Sequence, residues 1–383
     1  MRAGCAVTSA APRVLTVDGS TEQVAGLVAA VADALHGRGA AVVPVGPGGV
    51  TPTGAVSDGV AVVVATSGST GEAKHVLLSA AALRASATAT AARLGGDAHW
   101  LLTLPAEHVA GIQVIVRALL AGAPPSVQDV SAGFRAADFA AAVAAMPPGR
   151  RHTSLVPTQL RRLLDADGPA PDALRTFDAV LVGGAALDAP LRARAEAAGV
   201  AVVTTYGMSE TAGGCVYDGV PLDGVTVDLD ADGRIHLGGP TLALGYLGAP
   251  PFTGPFRTGD LGRWCAGRLE VLGRADDVIV TGGEKVAPAA VERVLAGRPG
   301  VRGVCVVGVP DAEWGQAVVA AVVCGPDRPD DEDLRAAVRA ELGRAAVPRR
   351  FVDVPRIPVR GIGKPDRAAV LATVVSQPRH PDG

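Results

Sequence analysis

Charge of one sign is not in excess anywhere decisive in this chain. Thirty-five Lys and Arg face 38 Asp and Glu, leaving a net charge of −3 and a pI near 6.2. That balance offers neither nucleic acid nor an anionic membrane a basic surface and points to a small-molecule partner. Cysteine is sparse: Cys5, Cys215, Cys265, Cys305 and Cys324 are odd in number and contain no C-x-x-C pair. A zinc site or a disulfide framework is therefore unsupported, and a reducing cytoplasm is the expected compartment. No uninterrupted apolar run approaches the ~20 residues of a spanning helix. The opening M-R-A-G-C-A-V-T-S-A-A-P holds no apolar core of signal-peptide length, so no stable membrane insertion is expected. Aromatics are 3% of the residues beside abundant Ala, Gly, Arg and Val. This bias carries no functional conclusion.

What is present is core-forming. With 383 residues, 48% hydrophobic and 19% charged, the chain is expected to fold as two or three globular domains. From residue 12 to about 207, β-rich runs (40–43, 60–65, 100–104, 153–156, 179–182 and 200–205) alternate with helical segments, which predicts an α/β domain with largely parallel strands. Ser20 with Gln23 resembles a capping box for a helix ending near Gly37, and Asp188 with Pro190 opens another ending at Gly199. Loops after the strands should share one face, where ligands of such sheets bind. Between residues 219 and 273 short segments broken by Gly, Pro and Asp predict a compact antiparallel β region. From Arg274 an α+β C-terminal domain of about 110 residues is expected, with helices at 288–295 and 330–342 and strands at 303–309 and 317–323.

The stretch T-S-G-S-T-G-E-A-K at 66–74 follows the apolar run V-A-V-V-V-A. Gly68 and Gly71 permit backbone conformations and close approaches that other residues resist. Thr66, Ser67, Ser69 and Thr70 supply hydroxyls and Lys74 a cation, a set suited to a phosphate chain. Gly, Ser and Thr are also ordinary turn residues, and the spacing departs from the Walker A loop, in which G-K-[ST] closes the motif.

Five more motifs follow in order: L-P-A-E-H-V-A-G at 104–111, Y-G-M-S-E at 206–210, R-T-G-D at 257–260, G-R-A-D-D-V-I-V-T-G-G-E-K-V at 273–286 and P-V-R-G-I-G-K-P-D-R at 358–367. Taken together they resemble the acyl-adenylate-forming (AMP-binding) superfamily of acyl-CoA synthetases, luciferases and nonribosomal-peptide adenylation domains. Within it, W-L-L-T-L-P-A-E-H-V-A-G-I-Q-V, S-L-V-P-T-Q-L and T-T-Y-G-M-S-E-T-A-G-G-C-V-Y-D-G are most similar to the o-succinylbenzoate-CoA ligase family of menaquinone biosynthesis. The resemblance implies a large N-terminal domain of several subdomains (1–273) with mainly parallel sheets, and a small mobile α+β C-terminal domain (274–383) hinged near 274–277. Its substrates would be ATP, coenzyme A and a small-molecule carboxylic acid, with Mg²⁺ as the metal. A homo-oligomer is left open.

The roles that the resemblance implies fall on particular residues. Thr66, Ser67, Gly68, Ser69, Thr70, Gly71 and Lys74 would hold the β- and γ-phosphates. Ser209 would contact the α-phosphate, Glu210 would help hold Mg²⁺, and Tyr206, Gly207, Gly183, Gly184 and Ala185 would frame the adenine. Asp260 would accept from the ribose hydroxyls with Arg274 as its companion, although an Asp after Thr-Gly is equally a turn residue. Lys364 would enter the site as the chief catalytic cation, although a lysine between Gly and Pro is commonly just solvated. Asp276 would be the pivot of the hinge. Gly282 and Gly283 would flank the pantetheine tunnel or form a plain hairpin turn. His108 would border the acyl pocket or serve structure alone. Glu107 and His108 stand where amino-acid-activating relatives carry an aspartate, which favours an aryl or alkyl acid. Gly213 and Gly214 are expected either to leave room for a ring or to form a flexible turn. Ala73, His75 and Val280 depart from the family pattern without removing an essential charge.

Overall fold

A computed structural model describes residues 11–66, 74–325, 327–360 and 364–377. The chain divides into two compact units, one of residues 1–184, 195–228 and 236–256 and the other of residues 185–194, 229–235 and 257–383.

The first unit holds two sheets. One has the order β1 (Arg13–Thr16), β2 (Val42–Val45), β3 (Val60–Thr66), β4 (Lys74–Ser79), β14 (Gly245–Tyr246). Strands β1, β2 and β3 run parallel, whereas β4 returns antiparallel beside β3 and β14 pairs antiparallel with β4. Ala61 to Val64 are all buried, the burial expected of an uncharged β-branched run covered on both faces. Ser20 caps α1 (Thr21–Leu35) by accepting from the Gln23 amide at 3.4 Å, while Gln23 Oε1 accepts from the Asp18 amide at 2.8 Å. The reciprocal half of the expected capping box therefore reaches two residues further back.

The other sheet is seven-stranded, in the order β11 (Val220–Pro221), β10 (Gly213–Tyr217), β9 (Val202–Met208), β8 (Ala179–Val182), β7 (Arg151–Leu155), β5 (His99–Leu102), β6 (Ser126–Val127). Strands β5 to β9 pair in parallel, as the alternating pattern predicts, and β10 and β11 fold back antiparallel. Helices α2 (Ala80–Arg93) and α3 (Val109–Leu120) bury Leu83, Ile112, Ile115 and Val116 completely. The stretch after Gly219 forms a four-stranded sheet in the order β12 (Thr226–Leu229), β13 (Arg234–Gly238), β15 (Phe256–Cys265), β16 (Arg268–Arg274).

The second unit is α+β. Strands β17 (Ile279–Thr281), β18 (Glu284–Val286), β19 (Val301–Asp311) and β20 (Gly315–Cys324) form a sheet ordered β18-β17-β20-β19, to which β21 (Arg350–Asp353) adds in parallel on β20. The two-residue side-chain period of a strand divides its core. Val306, Val318, Ala320 and Val322 pack under helices Pro288–Ala296 and Asp331–Leu342, whereas Cys305, Val307, Val319 and Ala321 pack under helix Arg367–Ser376. Strands β22 (Val359–Arg360) and β23 (Lys364–Pro365) form a separate antiparallel pair. The architecture is mixed α/β, with a large N-terminal unit and a smaller C-terminal one.

Candidate active site

The segment 67–73 joins β3 to β4, and the last paired residues of that hairpin are Thr66 and Lys74. Thr66 Oγ1 donates to the Lys74 carbonyl at 3.3 Å, so the segment leaves and re-enters the sheet at one point. Ser67, Gly68, Ser69, Thr70, Gly71 and Ala73 lie outside the described residues. Lys74 was expected to end a loop; it begins β4, because the apolar V-L-L after it pairs with Val62, Val63 and Val64. The next residue, His75, buries its Nε2 without a hydrogen-bond partner among the described residues.

The Lys74 side chain meets Tyr246 here. Its ammonium lies 5.2 Å from the centroid of the Tyr246 ring, within cation–π range. The Tyr246 hydroxyl donates to Glu210 Oε1 at 2.7 Å. Burial and then the Glu210 carboxylate push the phenol above its ordinary range, so Tyr246 keeps its proton and remains a donor. Glu210 is also held by its backbone, since its carbonyl accepts from the Ala243 amide at 2.9 Å. A cation, a phenol and a carboxylate thus stand in sequence where β4, β14 and the turn after β9 meet. No cluster of three or more metal-ligating side chains exists among the described residues. A single carboxylate completed by phosphate oxygens and water nonetheless suits a hard ion such as Mg²⁺, and the donor set fits it.

Ser209, Glu210 and Thr211 form a single 3-10 turn between β9 and β10. Thr211 Oγ1 donates to Gly213 O at 2.7 Å and accepts from the Met208 amide at 3.0 Å, pinning that turn. Strand β9 was expected to stop at residue 205; it continues through Tyr206 and Gly207 because β10 pairs beside it. Gly207 is required by that approach, since a Cβ there would stand 2.2 Å from the Gly213 carbonyl oxygen. Gly207→Ala is accordingly expected to lower stability by about 1–3 kcal/mol, the usual cost of forcing a methyl into filled space, measurable by urea denaturation. Gly183 and Gly184 follow β8, and a Cβ on Gly183 would meet Thr205 Oγ1 at 2.3 Å, so the adenine-framing candidates of β8 and β9 are packed together. Ala185 follows them directly in the chain.

His108 is the last residue before α3, extended at φ −95° and ψ 152°, with no side-chain cap bond. The first turn of α3 lies close on the loop before it: a Cβ on Gly111 would be 2.4 Å from the Pro105 oxygen. Gly213 and Gly214 are neither a flexible turn nor open space. They begin β10, and Cβ atoms there would meet Gln113 Cγ and Tyr217 Cε1, each at 3.1 Å. Gly213 lets β10 lie close to α3, and Gly214 leaves space for the Tyr217 ring of its own strand.

Two side chains that the motifs did not mark stand out in the first unit, and of these Tyr246 touches the site through Glu210 and Lys74. Helix α3 and β10 run together from the Gln113–Gly213 contact to Arg117 and Tyr217, where Arg117 Nη2 donates to the Tyr217 hydroxyl at 3.1 Å. Arg117 is 7% exposed, lies over the Trp100 ring at 5.2 Å and leaves Nε without a partner. No carboxylate pairs with it among the described residues, and burial shifts its pKa downward. It also borders a cleft of about 290 Å³ lined by Arg84, Asp97 and Trp100, where two guanidiniums against one carboxylate leave a positive excess. A buried arginine without its anion is costly. The signal was legible as the lone charge in V-A-G-I-Q-V-I-V-R-A-L-L. Tyr246 is the other unmarked residue, in a strand of only two residues.

The remaining expected residues belong to the second unit. Asp260 on β15 faces Arg274 on β16, with their charged groups 3.7 Å apart and the Asp260 side chain 14% exposed. Gly259 explains the Thr-Gly-Asp spacing, since the Arg274 guanidinium lies across it and a Cβ would stand 2.4 Å from Cζ. Arg274 Nη2 also donates to Asp276 at 2.9 Å. Gly282 and Gly283 adopt φ of 57° and 85° as the two-residue turn between β17 and β18, and the Gly282 amide donates to the Trp314 carbonyl at 2.9 Å. Lys364 opens β23 opposite Arg360.

Comparison with known proteins agrees over most of the chain. The family model described as AMP-binding enzyme matches residues 7–247, and that described as AMP-binding enzyme C-terminal domain matches residues 290–364. A probable 2-succinylbenzoate-CoA ligase of Mycobacterium tuberculosis is 49% identical over 326 residues, covering 82% of this chain and 85% of that protein. The 2-succinylbenzoate-CoA ligase of Salmonella typhimurium is 35% identical, covering 76% of this chain and 64% of the relative. The structure of Escherichia coli MenE with a bound analogue of OSB-AMS superposes with a TM-score of 0.75 at 27% identity, over 97% of this chain and 90% of that one. With its family model spanning more than half of the residues and a relative matched over 82% of them, the chain belongs to the AMP-binding enzyme family.

Proposed function

We propose that this chain is an AMP-forming acid-CoA ligase that joins 2-succinylbenzoate to coenzyme A, as its ligase relatives are named for doing, in menaquinone biosynthesis. A carboxylate oxygen of the acid attacks the α-phosphorus of ATP, the bond to pyrophosphate breaks, and an acyl-adenylate forms. The thiolate sulfur of coenzyme A then attacks the acyl carbon and AMP leaves with the electron pair of the broken C–O bond. Both partners of the first step are anions, so positioned cations carry it. Lys74 and the hydroxyls of 66–70 take the β- and γ-phosphates, and Ser209 takes the α-phosphate. Glu210 offers a metal ion the oxygen that Tyr246 does not occupy, and bound Mg²⁺ would neutralise phosphate charge there. Gly183, Gly184, Ala185, Tyr206 and Gly207 border the adenine, and Asp260 with Arg274 takes the ribose. Lys364 bridges carboxylate and phosphate during adenylation. The C-terminal domain then turns about a hinge at 274–277, with Asp276 as the pivot, and Gly282 and Gly283 border the pantetheine. His108 lies at the acyl pocket. The reaction is placed in the cytoplasm.

The observation that carries the reading is the Lys74–Tyr246–Glu210 array where β4, β14 and the turn after β9 meet, and the choice of acid follows the 2-succinylbenzoate-CoA ligases to which the chain is similar. Incubation with 2-succinylbenzoate, Mg-ATP and coenzyme A should release AMP; release of ADP would sink the adenylation reading. The alternatives are a ligase for another aryl or medium-chain acid, which a panel of acids would reveal, and a nucleotide-binding protein without turnover, which binding of ATP with no reaction on any acid would reveal.

A further inference from the structure

Arg367 stands three residues after Lys364, at the start of helix Arg367–Ser376. Its guanidinium is shared among three segments of the second unit. Nε donates to Asp277 Oδ2 at 2.9 Å, Nη1 and Nη2 fork onto the two oxygens of Glu292, and Nη1 also reaches the Val306 carbonyl at 2.7 Å. Glu292 accepts in turn from the Val306 amide at 2.8 Å. The three side chains are 24%, 33% and 17% exposed for Arg367, Asp277 and Glu292. Against the cost of burial, the Glu292 pair and then Asp277 hold the guanidinium protonated.

The two arms differ in what they secure. The Glu292 arm ties helix Pro288–Ala296 to β19 and to the last helix, which is packing of the core. The Asp277 arm reaches the short turn Ala275–Asp277, which buries no residue and gains the core nothing. On the other side of Arg367, the Asp366 amide donates to the Pro358 carbonyl at 2.9 Å and Asp366 caps the helix through the Ala369 amide at 3.1 Å. That bond closes the base of the strand pair β22–β23, whose register sets Val359 opposite Pro365 and Arg360 opposite Lys364. The path from the 275–277 turn to Lys364 is therefore short and held at each joint: Asp277, Arg367, the Asp366 cap, and the paired strands.

We propose that Arg367 is a positioning residue for Lys364, locking Asp277, just beyond the pivot, to the strand pair that carries the lysine so that the two move as one piece. The proposal rests on the reading of Lys364 as the adenylation cation. A lysine that arrived about 1 Å out of place would lose on the order of 100-fold in rate, so a soft connection between the pivot and the lysine would cost the first half-reaction alone.

The two half-reactions are measured separately by rapid quench, adenylation from ATP and thiolysis from supplied acyl-adenylate. Asp277→Asn takes the charge from one arm, leaving at most a neutral acceptor for Arg367 Nε, and keeps the Arg367–Glu292 pair. It is expected to slow adenylation by about 10–100-fold and thiolysis by no more than about threefold, with Arg367→Met following the same pattern and Arg367→Lys, which keeps charge but loses the fork, falling between. In a double-mutant cycle, Asp277→Asn should have no further effect once Lys364→Ala is present, because it acts through that side chain. Unchanged adenylation in Asp277→Asn, equal losses in both half-reactions, or additive losses with Lys364→Ala would each overturn the proposal. Unchanged adenylation in Lys364→Ala alone would instead remove the reading beneath it.

Discussion

Lys364→Ala is expected to slow acyl-adenylate formation by on the order of 100–1,000-fold, the loss seen when one positioned donor to developing charge is removed, while thiolysis of supplied acyl-adenylate stays within a few-fold. The asymmetry follows from the charges. Adenylation brings a carboxylate against a polyphosphate, and a cation between them serves the step itself. Thiolysis expels AMP from a neutral acyl carbon and needs a path for the thiol, not a cation between two anions. Asp276→Pro should do the reverse. It fixes φ near −65° in the single 3-10 turn Ala275–Asp277, the hinge proposed above, so thiolysis should fall more than adenylation. Proline also deletes the Asp276 carboxylate that accepts from Arg274. Asp276→Asn separates the two causes: it weakens the ion pair without fixing φ, and should leave the ratio of the half-reactions nearly unchanged. Single-turnover measurements decide the matter, and equal losses in both steps for both variants would end the division of labour.

How much of this was legible in the sequence depends on the range of the contact. Four of the five described parallel strands of the seven-stranded sheet, β5, β7, β8 and β9, announce themselves as short β-rich runs, whereas the two-residue β6 is too short to do so, and β3 is read correctly because a buried strand needs no partner to be apolar. Strand β4 escapes notice because its first residue, Lys74, completes a phosphate-loop pattern and its pairing with β3 becomes visible only in space. The same holds for β9, whose last residues look like loop until β10 folds back beside them. Gly213 and Gly214 offered either a turn or room for a ring, and sequence cannot tell those from a third use, the close packing of Gln113 and Tyr217. Asp260 and Arg274 could be paired in advance through a motif, and they face each other across two strands. Arg117 could not be placed in the same way. A lone arginine on an apolar helix commonly stretches its head to solvent, and only the burial of the guanidinium beside Tyr217 shows that this one does not.

Glu210→Gln tests the metal reading most sharply, because the structure shows how little else it should disturb. The amide is the same size as the carboxylate, its oxygen can still accept the Tyr246 hydroxyl, and the backbone bond from the Ala243 amide to the Glu210 carbonyl does not involve the side chain. The fold is therefore expected to hold, and thermal denaturation should move little. What is lost is a negative oxygen for a hard cation. Removing even an outer partner of a metal ligand costs about 10–100-fold in metal affinity, and deleting the charge of a ligand should cost at least as much. The Mg²⁺ concentration for half-maximal adenylation should rise accordingly, and excess Mg²⁺ should restore part of the rate. Binding of Mn²⁺ with ATP, followed by electron paramagnetic resonance, supplies a readout that does not depend on turnover, and it should weaken in parallel. Tyr246→Phe gives the graded control: it leaves the carboxylate charged but frees Oε1 from the phenol, so it should perturb metal binding less than Glu210→Gln. An unchanged Mg²⁺ requirement together with unchanged Mn²⁺ binding in Glu210→Gln would remove Glu210 from the metal site and leave its bond to Tyr246 as a purely structural tie between the turn after β9 and β14.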